Sequence, residues 1–416
     1  MATNRAVEFL VWLLIAASVI AVVAARLKIP YPVALVLGGL ALGSLHRLPL
    51  VLSLTHGQRP DWLTPDVILI LFLPPLLFEA SLNIPASRLR ENLLPVLVLA
   101  SAGVFAATLI TGYAVHWSFG LPVSVALVFG AIISATDPIS VVSVFKEMGV
   151  AKRLAFILEA ESLFNDGAAV VLFGILMAAV ASHRMSVARG FADFVGVVAG
   201  AAALGLLMGY VFSKITQRID EPSVEITLTT ILAYSSYLIA QSLHVSGVVA
   251  TVAAGIVFGN YGVRTGMSPR TRTAVASFWD YAVFVINSVL FLLIGMQVRL
   301  GDLFRSWRAA LLAIAAVLLG RALSVYVLAP VSNLSAQKVS FRWQHLMVWG
   351  GLRGALALAL VLSLDRHFPY REALTTWTFG VVAFSIVVQG LTLKPLINFL
   401  GLGAQAKPAG EPSGVP

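Results

Sequence analysis

Seven ionisable side chains lie inside long apolar stretches of this sequence: Glu79, Asp137, Glu159, Glu161, Asp166, Arg321 and Arg353. A charged group at the centre of a membrane helix costs about 2.5–3.5 kcal/mol on insertion scales, so unneeded ones are rare. One reading pairs the acids with the arginines structurally; the other, which fits the whole set better, is a path for an ion and a proton. Asp137 precedes Pro138, which has no N–H and so frees a carbonyl one turn back. Thr136 adds its own carbonyl and hydroxyl. Ser162 and Asp166 are four residues apart and share one helix face. Carboxylate, hydroxyl and carbonyl oxygens suit a small hard cation such as Na⁺ or Li⁺, and nothing in the set suits a transition metal. His244 and His345 fall near the ends of apolar stretches and read as interfacial residues rather than proton relays. Glu159 and Asp280 fall near the starts of theirs and read as charges at helix N-termini.

Side chains of this kind need elements that hold them in a membrane interior. The chain has 416 residues, 59% hydrophobic and 11% charged, with mean hydropathy +0.92. A soluble domain carries about 25% charged residues. Runs such as 9–25 and 309–319 do not alternate apolar with polar, which selects helices over a membrane β-barrel. The absence of cysteine excludes disulfides, thiolate–zinc sites and thiol redox chemistry. The net charge of +9 comes from lysines and arginines scattered between apolar runs, a pattern of topology signals and not of nucleic-acid binding. The first run exceeds a signal-peptide core in length and reads as a retained helix.

Polar breaks divide the sequence into about thirteen transmembrane helices, an all-α polytopic membrane protein. The spans are 7–25, 31–46, 65–83, 93–116, 121–145, 153–181, 190–213, 224–242, 245–260, 274–298, 309–330, 343–364 and 373–399. Residues 1–400 form one transmembrane domain, and 401–416 read as a disordered cytoplasmic tail. Connections on one side carry 16 lysines and arginines and those on the other carry 10. The richer side is expected in the cytoplasm, with the N-terminus outside and the C-terminus inside. Thirteen spans divide as 6+1+6, and the odd linker inverts the second half relative to the first. Both halves then hold a broken crossing helix, spans 5 and 12, interrupted at Thr136-Asp137-Pro138 and at residues 350–354.

Six segments carry a resemblance. They are Phe72-Leu73-Pro74-Pro75-Leu76-Leu77-Phe78-Glu79, Ser134-Ala135-Thr136-Asp137-Pro138 and Glu161-Ser162-Leu163-Phe164-Asn165-Asp166. The others are Asn287-Ser288 with Gly295, Gly320-Arg321 with Val325-Tyr326, and Gly350-Gly351-Leu352-Arg353-Gly354. In this order the set resembles the monovalent cation/proton antiporters of the sodium/proton exchanger type, the bacterial NhaP-like proteins and animal sodium/proton exchangers. The resemblance implies that Asp166 is the carboxylate that takes either the cation or a proton. Asp137 would support the site through water or Asn165, and Thr136, Ser162 and Glu79 would complete the Na⁺ shell. Glu161 would pair with Arg321, and Arg353 would serve structure or gating. Asn165 stands where an aspartate accompanies electrogenic exchange, so the resemblance is to the electroneutral branch.

The same resemblance implies a secondary transporter in the bacterial inner membrane, with no cofactor beyond the transported Na⁺, Li⁺ or K⁺ and H⁺. It implies a homodimer working by alternating access, with core helices over 93–181 and 309–399 and scaffold helices over 7–83 and 190–298. The alternative is a proton-coupled symporter of a small solute on a similar inverted-repeat fold. That reading calls for a positive or apolar pocket at the crossing, whereas this crossing is rich in carboxylates.

Overall fold

The computed structural model of the chain describes residues 2–27, 29–44, 68–182, 186–298, 301, 305–332 and 338–403. Among these residues the regular structure is entirely helical, as an apolar chain without alternating strands requires. The first half contains α1 (Ala2–Leu27), α2 (Tyr31–Ser44), α3 (Leu73–Leu82), α4 (Ala86–Glu91), α5 (Leu93–Phe119), α6 (Val123–Ser134), α7 (Ile139–Met148) and α8 (Lys152–Ser182). There follow α9 (Val187–Thr216), α10 (Pro222–Ser242), α11 (Gly247–Gly266), α12 (Pro269–Gln297), α13 (Trp307–Ser332), α14 (Phe341–Trp349), α15 (Ala355–Leu362) and α16 (Arg371–Phe399). Helices α5, α11 and α16 each contain a π turn, at Val98–Ala102, Phe258–Gly262 and Ser385–Gln389.

Ten helical segments among the described residues are long and apolar enough to cross a membrane, the interrupted pair α6–α7 counted as one. The remaining expected spans correspond to shorter helices: α2, α3 and the interrupted pair α14–α15. Most of the tail expected over 401–416 lies outside the described residues. Two expectations need correction. Helix α12 begins at Pro269, with Ser268 capping the Thr271 N–H, so Asp280 lies deep in the helix and caps nothing. Helix α8 likewise has no acid in its first turn, and Glu159 sits beyond the reach of its N-terminus. For α12 apolar periodicity placed the start of the span at 274, too late. The expected start of α8 lies within one residue of the observed one, and Glu159 is well inside either bound.

The two interruptions have local causes. Proline at 138 disfavours helical backbone at the residue before it, and the chain is already extended at Ala135, with ψ 136°. Helix α7 then closes at Gly149, in the left-handed region at φ 64°, the common glycine terminus. Helix α14 ends where two glycines in succession, Gly350 and Gly351, weaken helix formation.

Burial sorts centre from rim. In the apolar window of the α6–α7 span 83% of residues are buried, against 17% for α1 and 22% for α9, so α6–α7 is central and the other two are peripheral. Helix α6 packs against α5, α8 and α15, and α13 packs against α5 and α16. A second set of contacts joins α2 to α12, α9 to α11, and α3 to α10 and α11. Outside the bilayer helices, the turn carrying Asp220 meets the start of α12. Hydrogen bonds from Ser268 and Thr271 hold the Asp220 carboxyl below the usual carboxylate range.

Close approach of α2 and α12 rests on two glycines, the small-residue packing that lets membrane helices touch along their backbones. A Cβ at Gly39 would stand 2.2 Å from the Leu292 carbonyl, and one at Gly295 would stand 2.1 Å from the Val36 carbonyl. Gly295→Val is therefore expected to cost about 1–3 kcal/mol of stability through overpacking. The check is thermal unfolding in detergent, where an unchanged Tm would contradict the contact.

Candidate functional site

The two interruptions meet in the interior of the bundle. The Asp137 N–H donates to the Leu352 carbonyl at 2.7 Å. Arg353 Nη1 donates to the Ser134 carbonyl at 2.8 Å and to the Ala135 carbonyl at 3.3 Å. These carbonyls end α6 and have no intrahelical partner, and they carry the negative end of its dipole. A buried cation therefore satisfies both needs at once. Across the crossing, Arg321 Nε and Nη2 reach the Met347 carbonyl of α14 at 3.2 and 3.0 Å. Each half-helix thus ends on a buried arginine, with Arg321 5% and Arg353 3% exposed.

Asp137 is spent largely on backbone. Its Oδ1 accepts from the Ile139 N–H at 3.0 Å, closing the N-terminus of α7. Its Oδ2 lies against Gly354, where an added Cβ would be 2.6 Å away. Gly351 makes the same allowance for Arg321, whose Nε would be 2.6 Å from an added Cβ. Both glycines are required by close approach.

Helix α8 passes beside this crossing and presents Ser162, Asn165 and Asp166. Thr136 Oγ1 donates to Ser162 Oγ at 3.1 Å, Ser162 Oγ in turn donates to the Thr136 carbonyl, and Asn165 Nδ2 donates to Thr136 Oγ1 at 3.3 Å. Asp166 Oδ1 and Asn165 Oδ1 are buried and have no hydrogen-bond partner among the described residues. The charges acting on Asp166 are those of Asp137, Glu161 and Arg353. On the far side of α8, Glu161 meets Arg321 in a two-pronged pair at 2.6 and 2.9 Å. Buried polar groups in protein interiors are almost always satisfied, so a carboxylate oxygen left free beside hydroxyl and carbonyl oxygens marks a place for a cation or a proton.

Thr136, Asp137, Ser162, Asn165 and Asp166 are therefore brought together. Glu79 stands elsewhere: its carboxylate accepts from Asn83 Nδ2 at 2.7 Å, and the charges acting on it are Asp280, Glu159 and Lys146. His345 Nδ1 lies 2.5 Å from the Tyr326 hydroxyl, and His244 closes α10 in the left-handed region at φ 59°. Neither touches the crossing.

The family model described as sodium/hydrogen exchanger, transmembrane, matches residues 13–399. The chain belongs to the sodium/hydrogen exchanger family. It is similar to the Na(+)/H(+) antiporter NhaG of Bacillus atrophaeus, 44% identical over 393 residues, covering 94% of this chain and 74% of that one. It is 41% identical over 400 residues to the Na(+)/H(+) antiporter NhaH of Halobacillus aidingensis, covering 95% of this chain and 98% of that one. Its fold is similar to that of the sodium proton antiporter MjNhaP1 from Methanocaldococcus jannaschii at pH 8, with a TM-score of 0.77 at 22% identity. That likeness covers 96% of this chain and all of the other.

Sequence reading missed two residues of this exchanger-family crossing, Ser385 and Gln389 on α16. The signal was present: two polar side chains four residues apart inside an apolar run. The partners of Arg353 were also illegible, because they are backbone carbonyls and carry no residue type.

The Glu161–Arg321 pair can be tested by a double-mutant cycle. Arg321→Ala leaves Glu161 buried and unpaired, a change that typically costs about 3–5 kcal/mol. Combining it with Glu161→Gln is expected to be milder than the sum of the single changes in detergent unfolding. Strict additivity would contradict the pair.

Proposed function

We propose that this protein is a secondary transporter that exchanges a monovalent cation, Na⁺ in the first place, for H⁺ across a membrane. The observation that carries the reading is the free, buried oxygen of Asp166 beside the Thr136 and Ser162 oxygens, where two broken helices cross. The printed names of the relatives support the same substrate pair. In this reading Asp166, Thr136 and Ser162 take the ion directly, with Asp137 and Asn165 fixing their positions. Glu79, on α3, would join the shell through the carboxylate oxygen that Asn83 does not hold.

One titrating carboxylate gives one-for-one exchange. The charged groups of the crossing are Asp137, Glu161, Asp166, Arg321 and Arg353. Formally they leave one negative charge, enough for a single Na⁺ or a single proton. Asn165 cannot titrate and adds no second proton.

Alternating access is assigned to the two packing groups, α5–α8 with α13–α16 as the moving core and α1–α3 with α9–α12 as the scaffold, a division supported by the contacts within each group. Thirteen spans in a 6+1+6 inverted repeat fit the helix order, and a homodimer through the scaffold fits the family resemblance. The orientation proposed is N-terminus outside and C-terminus in the cytoplasm of a bacterial inner membrane. Side chains on the connections expected to share the cytoplasmic face do meet: Arg153 reaches Asn92 and the Lys338 carbonyl, and Lys394 pairs with Glu147 at 2.6 Å.

Asp166→Asn is expected to abolish sodium-dependent proton movement in proteoliposomes while the protein still folds. Normal exchange by that variant would overturn the assignment. With wild-type protein, an imposed membrane potential is expected to leave the rate unchanged. Competition for one carboxylate also weakens apparent sodium affinity about tenfold for each pH unit below the pKa of the site, by proton linkage. A clear response to voltage would mean that a second charge moves.

A further inference from the structure

The π turn of α16 places two polar side chains against the second interruption. Such turns are frequent at functional sites. Ser385 and Gln389 are 1% and 3% exposed, and together they span the break between α14 and α15. The Arg353 N–H donates to Ser385 Oγ at 2.9 Å. Ser385 Oγ donates to Gln389 Oε1 at 2.7 Å, and Gln389 Nε2 donates to the Trp349 carbonyl at 3.0 Å. The chain runs from the last carbonyl of α14 to the N–H two residues before α15. It satisfies two backbone groups that unwinding leaves without partners in an apolar interior.

What this chain holds is the segment that builds the cation site. Leu352 accepts the Asp137 N–H, and Arg353 reaches the carbonyls of Ser134 and Ala135, the two residues that lead to Thr136. A displacement of residues 350–353 therefore moves the Thr136–Asp137 peptide. Helix α8 offers an instructive parallel. It presents Ser162, and four residues later Asp166, to the first interruption, much as α16 presents Ser385 and Gln389 to the second. In α8 the second side chain keeps a free oxygen. In α16 it is an amide with both its oxygen and its nitrogen engaged, so it fixes geometry and carries no ion.

We infer that Ser385 and Gln389 are positioning residues that set sodium affinity by holding residues 350–353 against the first interruption. This rests on the sodium–proton reading for its transport measurement but not for its binding measurement. Gln389→Leu and Ser385→Ala are expected to raise the sodium KM in proteoliposomes about tenfold, as loss of a buried hydrogen-bond partner does, with a smaller change in maximal rate. Ser385→Thr keeps the hydroxyl and is expected to behave as wild type. A role confined to folding would lower the amount of active protein and leave the KM of the surviving molecules alone.

The same variants, purified, are to be compared for the rise in Tm that sodium produces, which reads binding without transport. Ser385→Ala, the smaller change, decides the matter where Gln389→Leu fails to fold. A Ser385→Ala protein with wild-type KM and a wild-type sodium response would overturn the inference, as would a Ser385→Thr protein impaired as much as Ser385→Ala. Wild-type protein that is stabilised by sodium but moves no protons would overturn the exchange reading alone, and the Tm comparison would still decide the role of Ser385 and Gln389.

Discussion

The hydrogen bonds from the Arg353 guanidinium to the Ser134 and Ala135 carbonyls are the interaction on which the crossing depends. Inside a bilayer no water is available to an unwound backbone, and each unsatisfied group costs several kcal/mol. Two helices interrupted at the same place leave many such groups. Arginine is suited to the task because its planar fork stays charged and serves several acceptors. Arg353 closes α6, and Arg321 closes α14 while pairing with Glu161. Asp137 closes α7 from the other end. Once these backbone groups are satisfied, Asp166 is the carboxylate of the crossing that still has a free, buried oxygen.

That division of labour is what the proposed exchange of a single small ion requires of a crossing with five charged side chains. Asp137, Glu161, Arg321 and Arg353 are engaged by backbone or by each other, while one buried oxygen of Asp166 has no hydrogen-bond partner among the described residues. In the proposed exchange, Na⁺ and H⁺ compete for the same oxygen, and either would neutralise the formal sum of one negative charge. Hydroxyl and carbonyl oxygens from Ser162 and Thr136 complete a hard-cation environment. Because these oxygens belong to an unwound segment and a neighbouring helix, their spacing depends on how firmly the two interruptions are held together.

Much of this was legible in the sequence, because the bilayer penalises charge and helix breakers. The type of the spanning elements followed from long non-alternating apolar runs, whereas the short polar helix α4 did not. Thr136-Asp137-Pro138 and the glycines from 350 to 354 announced the interruptions, and the Glu161–Arg321 pair followed from the family resemblance. The start of α12 was misjudged because the helix extends past its apolar stretch into a polar turn, which misplaced Asp280. The expected start of α8 lies within one residue of the observed one, but Glu159 reads as a terminal charge in the sequence although it lies about two turns inside. The environment of Glu79 could not be read, since it depends on which helix packs beside α3. The partners of Arg353, and those that Ser385 and Gln389 reach across the second interruption, were hidden for a different reason: they are main-chain atoms, which every residue possesses.

The central claim is that sodium and a proton share one carboxylate. Its most direct test is proton release by purified protein in weakly buffered detergent solution, followed with a pH indicator as sodium is added near the pKa of the site. Sodium binding is expected to expel protons in proportion to occupancy, up to one per site as the pH falls below that pKa, and Asp166→Asn is expected to release none. Saturable sodium binding by wild-type protein with no proton released across the whole pH range would contradict the account.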